Sequence, residues 1–340
     1  MGKRNPAQVT LRDIAEATGV TINTVSHALK DKPDISVETK QRIRLVAEEM
    51  GYVGNALAGS MRTGCTRMIA LILGDIANPN FAVVAYDAER TARKAGYHTI
   101  LYNTEENPEL ELQAIRSALA QKADGLIICP TQQSRRNLNY LKRCGVPFVL
   151  VGRCFDGEDL PGTVMDDETG GLLATRHLLN AGHKRIVLLE GPDYISSAAQ
   201  RRRGYERALH EANVPLDPAL ICPVEVSTGG CSRAIDSLFA RHIAFSAVFA
   251  FSDLLALEAV SALNRHGLQV PRDISMVGFD NIAARFPVPQ PLCSVSATDD
   301  ASMAEHAMLQ LLALLNGKPQ RKKVLPVSLA LRDSVQPYYP

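Results

Sequence analysis

A short stretch near the N-terminus carries side chains whose chemistry and spacing suit the edges of DNA bases. Asn23 can bond the N6 and N7 edge of adenine through both ends of its amide, and His27 can donate a hydrogen bond to a purine. Ile22 can contact only methyl groups such as that of thymine. The hydroxyls of Thr24 and Ser26 are suited to phosphate oxygens. The stretch therefore indicates a surface that reads duplex DNA.

Two short helices must position these side chains. Thr10 offers a side-chain oxygen to the free amides of the next turn, and apolar residues then recur on one helical face over about 11–18, where Gly19 ends the helix. Thr21 caps a second helix that runs to Leu29 and turns its apolar side inward. Two short helices joined by a tight turn containing glycine form a helix-turn-helix, and the early residues of its second helix face the major groove.

A third helix and a weak charge bias complete this N-terminal unit. Ser36 caps a helix of roughly Val37 to Met50, whose apolar face can complete a three-helix core. Residues 1–62 hold nine Lys and Arg against seven Asp and Glu, a net charge of +2, so the rest of the chain carries about −1 of the total of +1. The motif, more than the charge, therefore indicates DNA binding.

Length and composition limit the class of protein. A chain of 340 residues with 46% hydrophobic content provides for two or three units of roughly 100–200 residues each. No run of about 18 uncharged apolar residues exists, so no membrane span is expected. No apolar segment follows Lys3 and Arg4, as a secretory signal would require, so we expect a cytoplasmic protein. The seven cysteines form no Cys-x-x-Cys pair, which favours reduced thiols over disulfides or a metal site.

After Arg67, short apolar runs alternate with amphipathic helices, in the pattern of parallel, doubly wound sheets. The predicted strands are 68–73, 98–102, 125–129 and 148–151 in a first lobe, and 186–189, 247–250 and 274–278 in a second. The predicted helices are 81–95, 109–121, 136–143, 169–181, 200–212 and 254–265, with 301–316 as a crossover back into the first lobe. Two similar lobes imply a cleft, and ligands bind outside the carboxyl ends of parallel strands.

The residue pattern of the N-terminal unit resembles the headpiece of the lactose and galactose repressor (LacI/GalR) family of bacterial transcription regulators, and the similarity covers nearly the whole chain. The matching runs are Thr10-Leu11-x-Asp13-Ile14-Ala15, Gly19-Val20-Thr21, Thr24-Val25-Ser26-His27-Ala28-Leu29, Ile35-Ser36-x-Glu38-Thr39 and Gly51-Tyr52. The resemblance implies an α/β fold class. An all-α helix-turn-helix headpiece over 1–53 and a hinge helix with its linker over 54–65 would precede a two-lobed domain over 66–340, like a periplasmic binding protein. Lobe 1 is expected at about 66–161 and 294–325, and lobe 2 at about 162–293 and 326–340.

The same resemblance implies a homodimer on palindromic double-stranded operator DNA. The implied DNA contacts are Thr10, Thr21, Ile22, Asn23, Thr24, Ser26, His27, Lys30, Asn55, Ala58, Met61 and Arg62. Met61 stands where the family usually has a leucine that wedges between base pairs in the minor groove. Lys30 stands where many relatives have asparagine. Gly54 and Gly59 also depart from the family pattern, and extra glycine raises the entropy lost on ordering, so we expect a looser hinge.

The resemblance further implies a small-molecule effector site in the cleft. The implied contacts are Asn80, Phe81, Arg153, Arg201, Asp253 and Asp280. Arg201 matches the family's ligand-binding arginine, and Asp280 matches the carboxylate that accepts paired sugar hydroxyls. Simpler interpretations stay open: Phe81 as a core anchor, Arg201 as part of a solvated helix face, and the two aspartates as helix caps.

The type of effector can be narrowed by a departure from the family pattern. Gly152 precedes Arg153, where many relatives have an acidic residue. Two arginines without the usual acid between them could hold a carboxylate or phosphate bidentately. We therefore expect a sugar or an anionic sugar derivative, such as a sugar acid or a phosphorylated sugar.

Two rival classes of function lack their sequence signals. A sugar-binding transport receptor of the same fold would have a secretory signal and no helix-turn-helix. An enzyme would need a catalytic constellation, whereas the chain has no Gly-x-Gly-x-x-Gly after the first strand, no Walker A motif and no Gly-x-Ser-x-Gly elbow. We therefore expect a ligand-responsive, sequence-specific DNA-binding regulator, a repressor, with no catalytic residues, cofactor or metal.

Overall fold

The computed structural model describes residues 9–53, 64–225, 229–298 and 301–339. The chain divides into two compact units, Met1–Thr66 and Arg67–Pro340. Most of the predicted hinge over 54–65 lies outside the described residues, so its helix stays a prediction. Among the helices that the structure describes, none is long and apolar enough to cross a membrane.

The N-terminal unit contains three helices, which are α1 (Leu11–Thr18), α2 (Ile22–Leu29) and α3 (Val37–Glu49). The side chains of Thr10, Thr21 and Ser36 each accept a hydrogen bond from the backbone amide three residues further on, which satisfies a free donor at each helix start. Gly19 ends α1 with a left-handed φ of 67°. The predicted helix-turn-helix and its caps are confirmed.

A small apolar core joins the three helices. Ile14 from α1, Val25 and Ala28 from α2, and Ile43 and Ala47 from α3 are buried together. Because α2 buries the side that carries Val25 and Ala28, its opposite face must point away from the core of the unit.

Six parallel strands form the sheet of the first lobe, in the order β11-β5-β4-β3-β1-β2. These strands are β1 (Met68–Leu73), β2 (His98–Asn103), β3 (Gly125–Ile128), β4 (Phe148–Val151), β5 (Gly162–Met165) and β11 (Lys322–Leu325). The helices packed on it are α4 (Pro79–Lys94), α5 (Pro108–Ala120), α6 (Arg136–Cys144) and α11 (Met303–Leu315). Separate apolar clusters on the two faces of the sheet confirm the doubly wound prediction.

The second lobe has a six-stranded sheet in the order β12-β10-β9-β8-β6-β7. Its strands are β6 (Ile186–Glu190), β7 (Ile221–Pro223), β8 (Ala247–Ala250), β9 (Ser275–Phe279), β10 (Cys293–Ala297) and β12 (Val327–Ala330). Its helices are α7 (Asp167–Asn180), α8 (Ser196–Glu211), α9 (Gly230–Ala240) and α10 (Asp253–Arg265). The sheet is parallel except at β12, which runs antiparallel to β10 because the chain enters it directly from β11 of the other lobe, without a helical crossover.

Two predicted lobe boundaries need correction. β5 pairs with β4 and β11 in the first sheet, although the sequence predicts that the second lobe begins at 162. β10 pairs with β9 in the second sheet, although the sequence predicts a return to the first lobe at 294. Each predicted boundary therefore falls one short strand too early, because these strands lie beside the crossovers and were not identified.

Other elements also differ from the prediction because they are short or lack a cap signal. β7 has only three residues and ends at Pro223, which cannot donate to a ladder. α8 begins at Ser196, four residues before the predicted start at Gln200. Ile195, at its N-cap position, offers no side-chain hydrogen bond that would mark the start.

Candidate functional site

The outward face of α2 carries the side chains predicted to contact bases. Asn23 is exposed, and Ile22 is 45% exposed although it is apolar. His27 Nδ1 lies 2.5 Å from Asp34 Oδ2, so the carboxylate fixes the imidazole and leaves Nε2 at its other edge. One face of a single helix thus presents a methyl-contact group, an amide and an imidazole.

The hydroxyl side chains among the predicted DNA contacts all have local partners. Thr10 and Thr21 cap their helices, and Thr24 Oγ1 lies 2.9 Å from Thr21 Oγ1. Ser26 Oγ accepts a hydrogen bond from Lys30 Nζ at 3.0 Å. A hydroxyl oxygen has two lone pairs, so these contacts orient the hydroxyls without excluding a further polar partner. The predicted hinge contacts lie outside the described residues: Asn55, Ala58, Met61 and Arg62.

A cavity of about 60 Å³ lies between the lobes, at the carboxyl ends of their parallel strands. Five of the six predicted effector contacts line it: Asn80, Phe81, Arg153, Arg201 and Asp280. A second cavity of about 290 Å³ adjoins the first, and Asn80 and Asp280 belong to the walls of both. Five of the residues predicted to contact the effector therefore lie together in the fold, although residues 80 and 280 are far apart along the chain.

Arg201 is only 5% exposed and is held from several sides. Its Nε donates to Asp167 Oδ1 at 2.8 Å, its Nη1 donates to the Phe251 carbonyl, and its Nη2 lies 3.8 Å from Asp280 Oδ1. The guanidinium carbon is 3.5 Å from the centroid of the Phe279 ring, a cation–π contact. Arg201 is therefore a fixed part of the cavity wall, and its interpretation as a solvated helix residue is wrong.

Close packing of α7 against α8 brings Asp167 to Arg201. A Cβ on Gly171 would lie 2.2 Å from the Arg201 carbonyl oxygen, and a Cβ on Gly204 would lie 2.1 Å from the Glu168 carbonyl oxygen. Because these neighbours are backbone atoms, no side-chain rotation could relieve the clashes. Burial raises the pKa of Asp167 to about 6, even though Arg201 opposes the shift.

Arg153 has an acidic partner that the sequence analysis missed. Its Nη1 and Nη2 donate to the two carboxylate oxygens of Glu106 at 2.7 and 2.8 Å, and Nη1 also donates to the Pro130 carbonyl at 2.9 Å. Glu106 follows β2 in a turn where it and Glu105 both adopt left-handed φ angles, of 54° and 51°. Such angles are uncommon for residues other than glycine, and here they direct the carboxylate toward the cleft.

Asp280 enters the cavity from a strained turn after β9. Its φ is 95°, in a region that side chains rarely adopt, and its amide donates to the Val295 carbonyl at 2.8 Å. Burial raises the pKa of its carboxyl group, and the nearby Arg201 opposes that shift. The turn thus places a carboxylate beside the guanidinium of Arg201.

Asp253 is a correction to the predicted contacts. Its Oδ1 accepts a hydrogen bond from Ser294 Oγ at 2.7 Å, and its Oδ2 accepts one from the Ile282 amide at 2.9 Å. Burial raises its pKa to about 7, and the charge on Asp280 adds to the rise. Both oxygens support the segments around Asp280, so Asp253 lies in the interior behind the cavity wall instead of in it.

The charges of the cavity contradict the premise of an anionic effector. Arg153 and Arg201 each have a carboxylate partner at hydrogen-bond distance, so neither is the unpaired cation that the sequence suggested. Asp75 and Asp280 add further negative charge to the wall. An incoming anion would have to compete with these carboxylates, whereas a hydroxyl could donate to them.

The residues that line the cavity without having been predicted as contacts include Glu106, Ser197 and Phe251. Phe251 directly follows β8, and the rule that ligands meet the ends of strands could have found it. Ser197 lies before the predicted start of α8 at Gln200, whereas the helix begins at Ser196. Glu106 had no such signal, since its position depends on a turn of two left-handed residues.

Comparison with known proteins agrees with this geometry. Residues 66–310 match the family described as periplasmic binding proteins and sugar binding domain of LacI family, and residues 10–55 match bacterial regulatory proteins, lacI family. The chain is 32% identical over 335 residues to the HTH-type transcriptional regulator DegA of Bacillus subtilis (strain 168), which covers 97% of this chain and 99% of DegA.

Solved structures share the architecture. The complex of the transcriptional regulator CelR with cellobiose is similar at a TM-score of 0.71 and 26% identity, covering 96% of this chain and 99% of CelR. The Lac repressor dimer bound to operator and the anti-inducer ONPF has a TM-score of 0.84 at 24% identity, covering 97% of this chain and all of the repressor chain. This second likeness shows the shared fold.

A helix-turn-helix unit followed by a two-lobed domain with a ligand cavity defines the class of ligand-binding transcription regulators that act on DNA. The chain belongs to the LacI family of bacterial regulatory proteins. It is accordingly a DNA-binding regulator and not an enzyme.

Proposed function

We propose that the protein is a homodimeric repressor that binds a palindromic operator and is controlled by a neutral, polyhydroxylated effector, such as a sugar. The observation that carries the proposal is the paired array of Arg201 and Asp280 in an inter-lobe cavity, in a chain whose α2 presents Asn23 and His27 outward. The relative that was solved with cellobiose supports a sugar as the class of effector.

The cavity offers complementary groups for a hydroxylated ring. Asp75 and Asp280 supply acceptors, and the amide of Asn80 supplies both a donor and an acceptor. Phe81 presents an apolar ring that could pack against the C–H face of a sugar. Because both arginines of the wall are already paired, the preferred ligand is a neutral molecule.

The edge of the first sheet supports a homodimer. β2 is an outermost strand of this sheet, and Leu101 on it is 44% exposed. Tyr86 on α4 is 60% exposed. An exposed sheet edge with apolar side chains is an unfavourable surface for a monomer. A second copy of the chain would cover it, in line with the dimer of the Lac repressor.

Movement of the lobes would couple the effector to DNA. Closure or rotation of the lobes would change the spacing of two hinges, which we place at 54–65. That spacing decides whether two copies of α2 can enter successive major grooves about 10 bp apart. Such a regulator acts where the bacterial chromosome lies, so we infer a cytoplasmic location.

Two measurements test the proposal. Selection from a random pool of duplexes should return a palindrome bound by the full-length dimer. Calorimetry should then show that neutral sugars bind more tightly than matched sugar acids or sugar phosphates, and the bound sugar should change the affinity for that palindrome. Selection of no palindrome would contradict the DNA function, and preference for the acids or phosphates would contradict the neutral effector.

A further inference from the structure

A triangle of hydrogen bonds joins the two lobes beside the effector cavity. Gln132, in the loop after β3 of the first lobe, accepts a hydrogen bond at Oε1 from the Ser196 amide of the second lobe at 2.9 Å. Its Nε2 donates to the Cys154 carbonyl at 2.6 Å. The Cys154 amide in turn donates to Ser196 Oγ at 3.1 Å. We call these three residues the inter-lobe clasp.

The first lobe supplies the cap of a helix in the second. Ser196 is the first residue of α8, and Ile195 before it has no side-chain hydrogen bond to the helix start. The Ser196 amide is one of the free donors that every helix start must satisfy, and Gln132 satisfies it from across the cleft. Separation of the lobes would therefore leave this amide to water.

The loop that carries Gln132 is built to hold it in place. Gln132 has a left-handed φ of 64°, which is unfavourable for a side-chain residue unless its surroundings enforce it. The residue before it, Thr131, donates its amide to the buried carboxylate of Glu111 at 2.6 Å, and Asn137 Nδ2 donates to the other oxygen at 2.8 Å. The fold thus fixes the loop and aims Gln132 at the second lobe.

The clasp lies next to the effector contacts but does not include them. Cys154 follows Arg153 in the sequence, and Ser196 precedes Ser197. Arg153 and Ser197 line the effector cavity. The clasp residues themselves line a different hollow of about 230 Å³. A change in the clasp would therefore alter the closure of the lobes without deleting a direct contact with the effector.

We propose that the clasp of Gln132, Cys154 and Ser196 stabilises the closed cleft and so sets the affinity for the effector. The role in closure stands by itself, whereas the role in affinity rests on the function proposed above. A second contact between the lobes, from Arg285 Nη2 to Asp87 Oδ2 at 3.2 Å, would remain when the clasp is lost. Loss of the clasp should therefore weaken closure without abolishing it.

The test compares Gln132→Ala and Ser196→Ala with the control Gln121→Ala in the full-length protein. Gln121 donates to Tyr102 Oη, and both residues lie in the first lobe. Small-angle scattering without ligand should show an increased radius of gyration for the two clasp variants only. In Ser196→Ala the amide at position 196 still has Gln132 as its partner, so faster hydrogen exchange there would report separation of the lobes.

Calorimetry with D-glucose and cellobiose completes the test. Gln132→Ala should weaken binding of whichever sugar the unmodified protein binds by roughly tenfold, as expected for the loss of two hydrogen bonds. An unchanged radius of gyration and unchanged hydrogen exchange at position 196 in both clasp variants would overturn the proposal that the clasp stabilises the closed cleft. Sugar affinity that is unchanged in variants with an opened cleft would overturn its role in affinity. If neither sugar bound to any form, the neutral-effector proposal and this role would fail together, and the ligand-free data would still decide closure.

Discussion

The headpiece and the cleft present their functional side chains under opposite physical conditions. On α2, Asn23 and Ile22 are exposed, and the helix that carries them is defined by caps within a few residues. In the cleft, Arg153 and Arg201 are each about 5% exposed, and their partners come from distant parts of the chain. The DNA-reading surface therefore depends on local helix signals, whereas the effector cavity depends on long-range ion pairs.

The largest effect should come from removing a buried charge in the cleft. Arg201→Met would leave the carboxylate of Asp167 buried without its cation, which should cost about 3–5 kcal/mol of unfolding free energy in the two-lobed unit. Denaturant titration followed by circular dichroism would measure the loss. The control Arg203→Met removes a half-exposed arginine that lies 3.3 Å from Glu168, and should cost less than about 1 kcal/mol. Equal losses would remove the contrast between buried and exposed ion pairs.

Substitutions on the exposed face of α2 should change DNA binding without changing the effector cleft. Asn23→Ala should reduce the preference for one base pair of the selected operator by about 1–3 kcal/mol. Thr24→Ala should instead weaken all sequences alike, because a phosphate contact carries no sequence information. Binding assays on the operator and its single-base variants would separate the two. A uniform loss in Asn23→Ala would show that this side chain does not read a base.

The buried acid behind the cavity should give the two-lobed unit a pH dependence opposite in sign to that expected from the headpiece aspartates, whose pKa values are lowered by hydrogen bonds. Burial raises the pKa of Asp253 from 3.8 to about 7, so the unfolded chain loses its proton first as the pH rises. The unfolding free energy of the two-lobed unit should therefore fall between about pH 4 and pH 7. Asp167, with a pKa raised to about 6, adds to the same slope.

Asp253→Asn keeps the shape of the side chain and removes its titration. The slope of the unfolding free energy between about pH 4 and pH 7 should become shallower but not flat, because Asp167 remains. Thermal unfolding at a series of pH values would measure it. A slope identical to that of the unmodified protein would mean that Asp253 is ionised in the folded state at acid pH.

The smallest effect should come from a local cap in the headpiece. Ser36→Ala removes the hydroxyl that accepts from the Thr39 amide at 3.2 Å, and should cost about 1 kcal/mol of headpiece stability. Ser36→Asp keeps an acceptor at the same place and should retain most of that stability. Far-ultraviolet circular dichroism during the first thermal transition would compare the headpiece stability of the two variants. An equal loss in both variants would argue that packing outweighs capping in this unit.

Local signals explain why the headpiece was predicted so closely. The bounds of α1 agree with the prediction because Thr10 and Gly19 mark its two ends with side-chain and backbone chemistry that needs no distant partner. In the two-lobed unit, β1 and β4 were also predicted with their observed bounds, because each is a continuous apolar run. The short strands β5 and β10 carried no comparable signal, and this shifted both lobe boundaries.

The helix-turn-helix and the doubly wound lobes could be predicted from the sequence because periodicity, caps and strand ends are local properties of the chain. The five residues that gather around the cavity were predicted from the resemblance to a known family. The pairing of charges in the cavity, in contrast, depends on long-range contacts of the folded chain. Glu106 reaches Arg153 only through two left-handed residues, and Asp167 reaches Arg201 only because glycines let two helices approach closely. An ion pair between residues that are distant along the chain is a property of the folded chain, and so is the type of ligand that it favours.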